Sequence, residues 1–148
     1  MRGQIRMADV SAKPATVREA AARCELVMKP ATLKALRAGK VPKGEVIPAA
    51  QTAGILAAKQ TAHLIPLCHP IPVSQIQVRF SPRARGLVIE AEVTTTAPTG
   101  PEMEAMTAAA VAALTVYDML KGLERGIVIR RLLLVSKSGG KSGIWRRG

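Results

Sequence analysis

Residues 100–122 read GPEMEAMTAAAVAALTVYDMLKG and carry the marks of a long helix at both ends. Pro101 suits a first turn, where a missing N–H costs nothing. Glu102 and Glu104 meet the positive end of the helix dipole, Lys121 sits in the last turn, and Gly122 stops it. Met103, Met106, Ala110, Leu114 and Tyr117 recur at intervals of three and four, which predicts that this face turns to the core. No charge stands between Thr107 and Val116, so the segment is expected to be buried against other elements or other subunits.

Strand patterns flank this helix. Downstream, residues 127–136 read as a final strand with a nearly continuous apolar centre, and residues 137–148 as a Gly, Ser and Lys tail. Upstream, Ile76, Val78 and Phe80 alternate with Gln75, Gln77 and Arg79, and Leu87, Ile89, Ala91 and Val93 alternate around Glu90 and Glu92. The turn-rich stretch 81–86 joins the two as an antiparallel hairpin. Nearer the start, Ala20, Ala22, Cys24, Leu26 and Met28 occupy even positions, which suggests a strand, with a helix kept open by the alanines. Residues 32–38 predict a short helix closed by Gly39. Pro48 opens a small-residue helix over 49–63, with Gly54 marking a close contact. Three prolines around Leu67-Cys68-His69 make residues 64–72 a stiff connector. The order strand, two helices, strand, strand, helix, strand predicts an α+β fold, a four-stranded antiparallel sheet with helices on one face.

The chain has 148 residues, of which 48% are hydrophobic, enough for one domain over 1–148 and too much for disorder; residues 1–14 and 144–148 are expected to be loose. A net charge of +12 predicts attraction to a polyanion: nucleic acid, a phosphorylated metabolite or an acidic protein. Aromatic residues make up only 2%, which leaves almost nothing for base stacking and weakens an RNA-binding reading. Cys24 and Cys68 form no disulfide or metal pattern, no signal peptide is evident, and no run approaches the roughly 20 apolar residues of a membrane span, so a cytoplasmic protein is expected.

Three groups could carry chemistry. Lys137-Ser138-Gly139-Gly140-Lys141-Ser142-Gly143 could close on a phosphate or be a flexible tail. It is not a Walker A loop, because Val135 stands where the first glycine is required. Cys68-His69 lacks the partners for zinc. Adjacent residues of an extended segment point apart, so His69 reads as a polar contact or proton donor and Cys68 as packing. Asp118 and Lys121 share a helix face, either as a surface ion pair or as a pair tuned for acid–base work. Glu104 and Asp118 lie fourteen residues apart, or roughly 21 Å of helix, so a site using both requires a neighbouring subunit.

Seven segments in order over about 7–143 resemble the cyclic pyranopterin monophosphate synthase family of molybdenum cofactor biosynthesis. They are Asp9-Val10-Ser11, Lys43-Gly44-Glu45-Val46, Ala53-Gly54-Ile55 with Ala57-Ala58-Lys59, Leu64-Ile65-Pro66-Leu67-Cys68-His69-Pro70, Thr99-Gly100-Pro101-Glu102-Met103-Glu104-Ala105, Leu114-Thr115-Val116-Tyr117-Asp118-Met119, and the lysine-rich 137–143. The resemblance implies a ferredoxin-like subunit in a hexamer, a trimer of dimers with sites at subunit interfaces. It implies a lyase acting on a cyclised dihydro-GTP triphosphate with release of diphosphate. Asp118, Lys121, Lys141 and Lys43 match the catalytic positions; Leu67, Cys68, His69, Glu102, Met103 and Glu104 match the substrate-binding ones. No resident cofactor or metal is implied, with a divalent ion accompanying the triphosphate left open. The chain departs from the common pattern at Glu45, His63, Pro101 and Leu120. The charges suggest lysines tuned toward neutrality as acid or base, with Asp118 setting their charge. A basic RNA-binding module and a non-catalytic pterin or nucleotide carrier are the other readings.

Overall fold

Alternation decides between strand and helix at the start of the chain. In β1 (Thr16–Val27), Ala20, Ala22, Cys24 and Leu26 are buried while the residues between them reach the opposite face. This is a computed structural model, and it describes residues 3–148. After β1 come α1 (Pro30–Arg37), α2 (Val46–Lys59), α3 (Thr61–Leu64), β2 (Val73–Arg83), β3 (Gly86–Ala97), α4 (Glu102–Leu120), β4 (Val128–Ser138) and β5 (Trp145–Arg146). β1 is central, pairing antiparallel with β3 from Thr16↔Ala97 to Val27↔Gly86 and with β4 on its other side. The sheet order is β2-β3-β1-β4-β5, and its first four strands follow the ferredoxin-like arrangement.

The sheet has five strands, not the four expected. Trp145 pairs with Lys137 and Arg146 with Ser136, and the Arg147 amide donates to the Val135 carbonyl at 2.9 Å. A two-residue strand has no period to read, and the turn before it returns the chain to the β4 edge through glycines. The hairpin is also tighter than expected, with β2 continuing through Pro82 to Arg83. β2 is an edge strand, where proline's missing donor costs no ladder bond. The helix expected over 49–63 begins earlier, at Val46, and breaks at Gln60.

α2 and α4 pack against each other and on one face of the sheet. α4 buries its alanine face, Ala105, Ala108, Ala109, Ala112 and Ala113 with Val116 and Leu120. Of the face expected there, Met103 and Leu114 are outside, 37% and 57% exposed, while Met106 and Tyr117 are half-buried and pack against the edge of the core. Close approach is the reason. A Cβ on Gly54 of α2 would lie 3.0 Å from the Ala108 carbonyl oxygen and 3.3 Å from the Ala112 Cβ. Only small residues fit at that spacing, and the larger ones turn outward. α4 has the length and composition of a membrane-crossing helix, yet its inner face is core. The sheet face away from the helices is polar, crossed by ion pairs Arg23–Glu90, Arg79–Glu92 and Arg130–Glu25.

Candidate active site

The two ends of α4 carry two clusters. Asp118 lies in the last turn, and Lys43 reaches it from the loop between α1 and α2. Lys43 Nζ donates to Asp118 Oδ2 at 3.0 Å and to the Asp118 carbonyl at 3.0 Å. Lys121 Nζ stands 2.8 Å from Asp118 Oδ1. All three side chains are about half exposed. The hydrogen bond from Lys121, joined by that from Lys43, holds the Asp118 carboxyl below its ordinary range, and the bond to Asp118 pushes Lys121 up. Lys121 is therefore an ammonium at neutral pH. The expectation that it is tuned toward neutrality is not met, because a contacting carboxylate stabilises the charged form.

At the other end Glu104 is 3% exposed, although first-turn glutamates ordinarily reach solvent. Burial pushes its carboxyl up to about 7, the neighbouring Glu102 adding to the rise while hydrogen bonds from its own backbone and from Cys68 oppose it. The Cys68 thiol lies 3.9 and 4.0 Å from the two Glu104 carboxylate oxygens. Burial first, then the charges of Glu104 and Glu102, push that thiol up as well. Cys68 is thus a protonated neighbour of Glu104, a poor nucleophile. The stiff connector that carries Cys68 also brings His69 to a cavity of about 70 Å³ lined by Lys59, Thr61, His63 and Glu104. Glu102 accepts from Lys137 Nζ at 3.1 Å, tying the start of α4 to β4. Leu67 and Met103 present exposed apolar side chains near this end.

The chain belongs to the MoaC family. The family's sequence model matches residues 7–140. A cyclic pyranopterin monophosphate synthase from Thermomicrobium roseum is 54% identical over 99% of this chain and 89% of its own length. The protein of the same name from Pelotomaculum thermopropionicum is 56% identical over 99% of this chain and 87% of its own. One from a Nostoc species is 54% identical over 95% and 85%.

Both clusters fall inside the MoaC match, which ends one residue before Lys141. Within one chain the structure joins Asp118, Lys43 and Lys121, and separately Glu104, Cys68, His69 and Glu102. It does not join the two groups, which stand roughly 21 Å apart along α4. Lys141 is exposed in the turn after β4 and makes no ion pair among the described residues. A concavity of about 460 Å³ lies elsewhere, on the open sheet face beside Glu19, Gln77 and Glu92. Its polar, partly ion-paired lining takes in Lys137 and Ser138 of the lysine-rich stretch and none of the matched catalytic or substrate-binding residues. Among the described residues no three His, Cys, Asp or Glu side chains gather as metal ligands.

Arg18 escaped the choice of site residues, and Lys137 entered it only as part of the lysine-rich stretch 137–143. Both lie on the core-facing side of the sheet, Lys137 opposite Ala20 and Arg18 two residues before it. A charged residue in phase with a buried apolar row was the signal available in the sequence.

Proposed function

We propose that this chain is a cyclic pyranopterin monophosphate synthase. In this reading it is a lyase of molybdenum cofactor biosynthesis that converts (8S)-3',8-cyclo-7,8-dihydroguanosine 5'-triphosphate into cyclic pyranopterin monophosphate and diphosphate. The observation that carries this reading is identity of 54–56% over 95–99% of the chain with proteins of that name. The chemistry of the two clusters agrees with it. A triphosphate brings several negative charges, and Lys43, Lys121 and Lys141 supply cations from three separate segments. A divalent ion can enter with the triphosphate as part of the substrate.

Glu104 is placed for proton transfer, because a carboxyl near neutrality both gives and takes a proton at the pH of the cell. With His69 it holds the guanine-derived end, while Leu67, Met103 and Cys68 pack against the ring and Glu102 orients Lys137. At the other cluster the ribose hydroxyl attacks the α-phosphorus and surrenders its proton to the Asp118 carboxylate. A new P–O bond forms, the bond to the β-phosphate bridge breaks, and the charge on the departing diphosphate is met by the lysine ammonium groups.

Both clusters serve one substrate only when a second protomer closes the gap. The exposed apolar side chain of Leu114 on the outer face of α4 between the two clusters, with Met103 exposed beside Glu104, supports that arrangement. The assembly is a hexamer, a trimer of dimers, acting in the cytoplasm. The test is diphosphate release from the cyclised dihydro-GTP. Asp118→Ala and Lys141→Ala are each expected to lose at least about a hundredfold in turnover with unfolding temperatures near the parent's. Ordinary turnover in both variants would refute the assignment of the site.

A further inference from the structure

Arg18 is half-buried at the start of β1. Its Nε donates to the Ala97 carbonyl at 3.0 Å, at the end of β3 and just ahead of the segment that opens α4. The turn after β4 lies directly against it. Gly139 and Gly140 adopt φ of +93° and +72°. A Cβ on Gly139 would fall against the Val17 carbonyl oxygen and 3.0 Å from the Arg18 Cα and Cγ, and one on Gly140 would fall against the guanidinium, 2.8 Å from Cζ. Two glycines are needed here both for the left-handed backbone and for the closeness of the arginine. Arg18 makes no ion pair among the described residues, so its guanidinium is committed to a carbonyl and to backbone packing. Lys137 anchors the entry to this turn through Glu102, and Lys141 follows Gly140 directly.

We propose that Arg18 is a positioning residue: tied to the Ala97 carbonyl, its stem backs Gly139 and its guanidinium is the post on which Gly140 seats, and it thereby sets where Lys141 presents its ammonium to the substrate's phosphates. The proposal rests on the reading of Lys141 as a site lysine. Its physical basis is entropic. A stretch of two glycines and two serines around one lysine samples many conformations when nothing holds it, and the lysine then reaches its working position only part of the time.

The test uses the full chain with Arg18→Met, Arg18→Lys, Lys141→Ala and the Arg18→Met/Lys141→Ala double variant. Hydrogen exchange at the amides of residues 139–143 is expected to quicken about tenfold or more in Arg18→Met while the β1 and β3 amides keep their protection. Affinity for inorganic triphosphate, measured by titration calorimetry, is expected to weaken in Arg18→Met and in Lys141→Ala, with the double variant no weaker than Lys141→Ala alone. Unchanged exchange overturns the proposal. Losses that multiply in the double variant also overturn it, since Arg18 would then act on the anion by itself. Triphosphate affinity and turnover left intact by Lys141→Ala would instead remove Lys141 from the site, and the exchange measurement would still decide whether Arg18 holds the turn. Arg18→Lys keeps the stem and charge but lacks the Nε bond. It is expected to show the same quickened exchange, and it carries both measurements should Arg18→Met fail to fold.

Discussion

Glu104 is the residue whose charge the fold changes most. Its carboxyl titrates near 7 against about 4.5 in an ordinary setting, so between these values the folded chain holds a proton that the unfolded chain has lost. The folded state binds more protons, and stability must fall as pH rises through that window, by up to about 3 kcal/mol. Glu104→Gln is expected to be more stable than the parent at pH 8, to match it near pH 4.5, and to lose turnover. Thermal unfolding from pH 4.5 to 8 checks this, and parallel melting curves for the two proteins would contradict it. The sequence placed Glu104 in the first turn of a helix, where dipole compensation is the ordinary reading. Its buried carboxylate meets Cys68, which sits 36 residues away. Likewise the spacing of Asp118 and Lys121 was readable, whereas the bond from Lys43 spans 75 residues and no local pattern announces it.

Among the elements, strands were legible because alternation is a strong signal when one sheet face is core and the other polar. Helix α4 was legible in its limits and misread in its face. Hydrophobic periodicity weights large side chains, while the α2–α4 contact selects small ones, and the two criteria chose different faces of one helix, which meet along Met106 and Tyr117. Gly54 tests that account. Gly54→Val sets a branched side chain against the Ala108 carbonyl and the Ala112 methyl, and is expected to cost about 2–3 kcal/mol, roughly 5–10 °C in melting temperature. Gly54→Ala sets one methyl tightly at 3.0 Å from the Ala108 carbonyl oxygen and is expected to cost less than valine. Equal melting temperatures for Gly54→Val and the parent would mean that α2 and α4 do not rely on this approach.

For the whole molecule the decisive quantity is the separation of the two clusters along α4. A site shared between protomers predicts complementation. Asp118→Ala and Glu104→Gln are each inactive, yet after mixing, unfolding and refolding together they should recover about a quarter of parental turnover, because random pairing leaves one intact site in half of the dimers. Absence of any recovery, with mixed assemblies demonstrated by mass spectrometry, would place each complete site within one chain. The sequence by itself determined the α+β class, the order of the main helices and strands, the family and the identity of the chemical groups. These follow from local periodicity and from motifs that stand as contiguous segments. The tertiary structure alone decided which face of α4 is core, that Glu104 is buried and near neutrality, that Lys43 clasps Asp118, and that the turn before Lys141 is wound on Arg18. Each of these depends on contacts between residues distant in the chain, whose burial and electrostatics exist only after the sheet and helices have packed.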